Sequence, residues 1–139
     1  MDCSQQKGSV LLEGLIAILI FSMGILAIVG LQGAAIKTVA DSQYRLEASF
    51  LTNRIVADMW TNPANINNYV YPGGGATALA PWVADVQARL PGVASNPPTI
   101  TITGDAASGY TATIAVFWQA AGESTPHNFT SVSYININS

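Results

Sequence analysis

Residues 7–31 read KGSVLLEGLIAILIFSMGILAIVGL, and the fold turns on how this stretch is read. From Val10 to Leu31 every residue is apolar or small except Ser22 and one carboxylate, Glu13. As a helix rising about 1.5 Å per residue, the run spans roughly 30 Å, the thickness of a hydrocarbon core. A charge deep in such a span costs at least about 3 kcal/mol, so an ionisable residue there asks for a function.

The remaining composition fits an anchored rather than a freely soluble chain. Of 139 residues, half are hydrophobic and only 9% are charged, against roughly a quarter in ordinary soluble domains. The net charge is −3, and the basic residues after the run, Lys37, Arg45, Arg54 and Arg89, are dispersed. That gives no electrostatic footprint for nucleic acid, and no direct nucleic-acid binding is expected. The single cysteine, Cys3, excludes an intrachain disulfide and a cysteine-based metal site. It precedes the apolar run, whereas a lipoprotein cysteine follows one.

Three readings of the N-terminus compete. A secretory signal peptide would be cut near Gly33-Ala34-Ala35 and leave a soluble periplasmic chain, such as a binding module, starting at Ile36. The run is too long for that, and the leader MDCSQQK has one lysine offset by Asp2. A plain membrane anchor explains the length but not Glu13, and Lys7 and Lys37 flank the span with equal charge. The third reading starts from the order of residues: a short polar leader ending in Lys7-Gly8, then Ser9, three apolar residues and Glu13.

This arrangement resembles the type IV prepilin family. The resemblance implies cleavage of the leader, residues 1–8, between Gly8 and Ser9 by a membrane-embedded prepilin peptidase, and N-methylation of Ser9. Glu13 then becomes the fifth mature residue. The mature chain starts with serine where major pilins usually start with phenylalanine. Physically, cleavage leaves a cationic amine on Ser9 about 6 Å along the helix axis from Glu13. Amine and carboxylate are each costly in lipid alone and much less so when paired. Between staggered subunits such a pair would set the register, which gives Glu13 an assembly role.

Beyond the run, residues 36–60, IKTVADSQYRLEASFLTNRIVADMW, contain neither Gly nor Pro. At about 100° per residue, Val39, Leu46, Phe50, Ala57 and Trp60 form one apolar stripe, and Tyr44, Ala48, Leu51, Ile55 and Met59 a second, nearly opposite. Gln43, Glu47, Arg54 and Asp58 form a polar ridge, with Arg54 and Asp58 at the supportive i,i+4 spacing. One stripe is expected against the chain's own strands. The other is expected against neighbouring subunits or under a loop. Asn62-Pro63 stops the helix. The stretch TNRIVADMWTNPANINNYV, residues 52–70, is similar to PilV-type minor pilins, the type IV pilus modification proteins, and the resemblance covers roughly the first seventy residues.

Residues 61–78, rich in Asn, Pro and Gly, read as a long loop. LAPWVADVQARLPG, residues 79–92, reads as a short helix with Pro81 in its first turn and Trp82, Val86 and Leu90 at helical spacing. Three strands are expected at 99–103, 110–118 and 129–137, the second presenting Tyr110, Ala112, Ile114, Val116 and Trp118 on one face.

No catalytic constellation is legible. His127 reads as a solvated loop histidine, and Asp85, Asp105 and Glu123 are scattered carboxylates joined by no motif. The Tyr69–Tyr71, Gly73–Gly75 and Gln119–His127 stretches are candidate contact surfaces by position alone. Asn128-Phe129-Thr130 matches the N-glycosylation pattern, an accidental match in a bacterial chain.

The expected architecture is therefore α+β and pilin-like: one long N-terminal helix, its first half (residues 9–35) transmembrane, packed on an antiparallel sheet of three to four strands. Residues 36–139 form the head: helix continuation 36–61, loop and short helix 62–92, meander 99–137. No enzyme activity, cofactor or metal is expected. The resemblance implies an inner-membrane protein with leader inside and head outside that passes to the pilus surface. Its partners would be major and minor pilins, the peptidase, the assembly platform and membrane lipid. Its roles would be pilus assembly or priming, and through pili motility, adhesion or DNA uptake. A minor pseudopilin of a type II secretion system shares the whole N-terminal argument.

Overall fold

The computed structural model describes residues 5–136. Six elements follow in order: α1 (Gln5–Thr61), the 3-10 helix η1 (Pro63–Tyr69), α2 (Ala76–Arg89), β1 (Thr99–Asp105), β2 (Gly109–Trp118) and β3 (His127–Ile135). The fold is α+β, with the long helix packed on a three-stranded antiparallel sheet of order β1-β2-β3. The chain forms two compact units, Met1–Asp41 and Ser42–Ser139.

In the first unit α1 is a regular helix whose side chains from Gly8 onward are exposed almost throughout. By length and composition this apolar segment could cross a membrane, and none of its most apolar window is buried inside the protein. Among the described residues, the first fully buried side chain is Ala48.

The second unit holds the core. Ala48, Leu51, Ile55 and Met59 are buried on one face of α1, with Tyr44 packed against them. This is the second of the two stripes. It meets Ala112, Ile114, Val116 and Trp118 of β2, whose strict in-out alternation gives the face expected for that strand. Burial of these side chains stabilises the unit by about 1.5–3 kcal/mol per large residue. Thr52, the one buried polar residue among those described, donates its hydroxyl to the Ala48 carbonyl at 2.8 Å.

Three sequence expectations need correction. Residues 61–78 are not a plain loop: η1 occupies Pro63–Tyr69 and buries Ile66 and Tyr69. Those two residues lie three apart, the 3-10 repeat, which places both on the core side. α2 begins at Ala76, so Pro81 lies inside it rather than in its first turn. The Gly75 carbonyl opens that helix by accepting from the N–H groups of Ala78 (2.9 Å) and Leu79 (3.2 Å). Gly75 can approach η1 because it lacks a side chain, as a Cβ there would collide with the Asn68 carbonyl. Finally, Arg54 does not pair with Asp58 one turn on. It donates to Asp85 Oδ2 of α2 at 2.5 Å.

The β1–β2 hairpin closes on Asp105, whose Oδ1 accepts from the N–H groups of Ala107 (2.9 Å) and Ser108 (2.7 Å) and from the Ser108 hydroxyl (2.8 Å). These three donors hold its carboxyl below the usual range. Across the β2–β3 pair the register runs unbroken from Tyr110↔Ile135 to Trp118↔His127.

Candidate functional site

Gly8, Ser9 and Glu13 all lie on α1. α1 starts at Gln5 and passes through Gly8 without a break, so the expected cleavage position lies within a helix. Cys3 lies outside the described residues. Ser9 and Glu13 are four residues apart, about one turn, and so share a helix face. Both are exposed. Glu13 has no hydrogen-bond or ion-pair partner among the described residues, and around Gly8 a Cβ would meet nothing within 4 Å. The carboxylate is thus displayed on a largely apolar helix with nothing among the described residues to neutralise it.

In the second unit, α1 carries an outward apolar stripe of its own. Leu46 (71%), Phe50 (54%) and Trp60 (46%) are exposed, as is Val39, and no loop covers them among the described residues. Leu46 and Phe50 border an open groove of about 580 Å³ shared with Gln43, Tyr44, Glu47 and Arg89. Arg89 donates to Glu47 Oε2 at 3.1 Å, and its guanidinium carbon lies 5.8 Å from the centre of the Phe50 ring. This pairing of α2 with α1 was not legible in the sequence, since Glu47 and Arg89 are 42 positions apart.

The scattered polar residues have local structural roles. His127 is the first residue of β3, not a solvated loop residue. Its ring stacks on buried Trp118 (centroids 5.8 Å, 14° between planes), and its Nε2 lies 3.0 Å from Glu123 Oε2. Asp85 anchors Arg54, and Asp105 caps the hairpin. The Tyr69–Tyr71 stretch is anchored within the second unit: Tyr69 is buried with its hydroxyl 3.2 Å from Asp58 Oδ2, and Tyr71, half-buried, exchanges two backbone hydrogen bonds with Ile100. Gly74 is likewise committed to packing, since a Cβ there would stand 2.7 Å from the Val70 carbonyl oxygen. Among the described residues no group of three or more His, Cys, Asp or Glu side chains is placed to hold a metal ion.

Compared with models of protein families, with curated proteins and with solved structures, the chain matches none.

Proposed function

We propose that the chain is a minor pilin of a bacterial type IV pilus, of the PilV-like kind, cleaved after Gly8 and built into a filament through its N-terminal helix. The observation that carries this reading is Glu13: an exposed carboxylate without a partner among the described residues, one turn from Ser9, on a helix long and apolar enough to cross a membrane. Cleavage would supply the missing cation as the Ser9 amine of a neighbouring subunit. A misregistered neighbour would leave both charges unpaired in an apolar surrounding, and that cost selects the register. The uncovered stripe of Leu46, Phe50 and Trp60 offers a further apolar surface, on the head itself, for neighbouring subunits. Through assembly or priming of pili the protein would act in motility, adhesion or DNA uptake.

The test is the intact mass and N-terminal sequence of the protein taken from membranes and from sheared pili. A chain beginning at Ser9, with a methyl group on its amine, supports the reading. A chain beginning at Ile36 makes it a secreted protein, and an uncut chain makes it a plain anchor. Glu13→Ala is expected to be cleaved normally yet fail to enter pili, and normal incorporation would remove the register role.

A further inference from the structure

Charges in the second unit are matched almost throughout. Of its three arginines, Arg54 pairs with Asp85 and Arg89 with Glu47, while Glu123 lies against His127. Asp105 is held by three donors of its own hairpin. Two exposed side chains of α1 have no ion-pair partner among the described residues, the cation Arg45 and the anion Asp58. The Asp58 carboxylate accepts from the Tyr69 hydroxyl, and Arg54, its expected partner, is committed to Asp85. The placement of the two is ordered. At about 100° per residue they lie roughly 110° to either side of the outward stripe of Leu46, Phe50, Ala57 and Trp60. Along the axis they are 13 positions, about 20 Å, apart, too far to meet within one chain. Asp58 also borders an open groove of about 470 Å³, lined by Ala57, Thr61, Ala78 and Pro81, whose apolar walls suit the methylene stem of an arginine.

We infer that Arg45 of one copy pairs with Asp58 of a second copy, the two helices lying parallel, staggered by about 20 Å, with the apolar stripe between them. The inference deepens the filament reading and rests on it for the side-by-side setting. Charge decides the occupant: a neighbour must bring an anion to one flank of the stripe and a cation to the other, and this chain carries both. The flanks decide the direction. Parallel helices bring opposite flanks together, whereas antiparallel helices bring like flanks together and would set the Arg45 flank against itself. The stagger decides the symmetry, since two parallel helices at equal height would leave the charges about 20 Å apart. The contact is therefore head-to-tail. It leaves one Arg45 and one Asp58 open at its ends for further copies, the arrangement that grows into a helical array. Two copies suffice to form it. Its offset exceeds the about 6 Å of a Ser9–Glu13 contact, so the two pairings join a subunit to different neighbours.

Exchange of charges between two differently tagged copies of the full-length chain, co-expressed in bacterial membranes and solubilised in mild detergent, tests it. The yield of the second tag on purification of the first is the readout. Arg45→Glu in both copies puts a carboxylate against Asp58 and is expected to lower the yield about fivefold or more. Asp58→Arg in both copies sets two guanidinium groups together and lowers it likewise. One copy with Arg45→Glu and the other with Asp58→Arg is expected to recover the wild-type yield. Because the two positions are about 20 Å apart in one chain, that recovery can arise only between chains. Where Asp58→Arg disturbs Tyr69, as read by near-ultraviolet circular dichroism, Asp58→Asn keeps an acceptor for its hydroxyl. Arg45→Glu combined with Asp58→Asn removes the repulsion and is expected to exceed Arg45→Glu alone. A wild-type yield from Arg45→Glu, or a lowered yield that neither the exchange nor Asp58→Asn raises, would overturn the inference. The N-terminal residue of the same purified chains decides the filament reading separately. A start at Ser9 with unmoved yields removes the ion pair alone. A start at Ile36 removes the filament reading alone, since both charged residues remain and the yields still decide the pair.

Discussion

The indole Nε1 of Trp82 donates to the backbone carbonyl of Leu51 at 3.0 Å, with both residues buried. This bond ties α2 to the middle of the head portion of α1, beside the Arg54–Asp85 ion pair. Trp82→Phe keeps most of the ring's burial but loses the donor. Because the Leu51 carbonyl lies within α1 and keeps its helical role, the expected loss is about 1 kcal/mol. Trp82→Ala is expected to lose about 3–5 kcal/mol. Urea unfolding of the detergent-solubilised protein, followed by far-ultraviolet circular dichroism, separates the two.

The two stripes of α1 predict opposite responses to the same kind of change. Met59 is fully buried and Leu46 is 71% exposed. Met59→Ala is expected to destabilise the head by about 2–5 kcal/mol, and Leu46→Ala to leave it within about 0.5 kcal/mol. Any loss of assembly in Leu46→Ala would then report on the outward surface alone. Urea midpoints and the amount of protein in sheared pili are the two readouts.

Glycines at positive φ divide in the same way. Gly109 (φ +88°) has the Tyr134 ring against the place where a Cβ would stand, and Gly122 (φ +85°) has open space. Gly122→Ala is expected to cost about 1–2 kcal/mol of backbone strain. At Gly109 the same change adds a clash, and a loss above about 2 kcal/mol is expected. Thermal unfolding of both variants checks the difference.

The head is expected to weaken in alkali through Tyr69. Burial, reinforced by the charge and hydrogen bond of Asp58, raises the Tyr69 hydroxyl above its ordinary 10.0. The unfolded chain therefore loses this proton first as pH rises. The stability it represents is complete below pH 10 and is lost as pH climbs through the higher native value. Tyr69→Phe should remove that part of the slope between neutral and alkaline pH, as read from urea midpoints. A slope unchanged in Tyr69→Phe would place the effect elsewhere.

Much of this architecture was legible because period and pattern carry it. The buried face of β2 follows from the alternation of Ala112, Ile114, Val116 and Trp118, and the helix from the absence of Gly and Pro over residues 36–60. The order of strands follows from their short connections. What was missed depends on contacts distant in sequence or on short helical repeats within polar surroundings. Ile66 and Tyr69 are hidden among asparagines, so a composition-based reading of 61–78 sees only a loop. Arg54 prefers Asp85 to Asp58 because α2 folds back over α1, which no local spacing reveals. The Glu123–His127 pair has helical spacing but no helix: a turn holds Glu123, whose N–H donates to the Ala120 carbonyl and whose own carbonyl accepts from Gln119 Nε2, while His127 stacks on Trp118. At the candidate site the positions of Gly8, Ser9 and Glu13 on one helix were readable from sequence. That none of the described residues reaches Glu13 was not.

The burial boundary at Ala48 also bears on how this protein can vary. A change before it replaces no buried side chain among the described residues, but Tyr44 already packs against the core and Glu47 pairs with Arg89, so the part that answers chiefly to whatever surrounds the helix is the exposed stretch up to Val39. A change after it must satisfy the core as well. That exposed stretch is therefore open to adaptation chiefly by its environment, while the head drifts under its own constraint. Two stretches of one helix are thus expected to tolerate different substitutions.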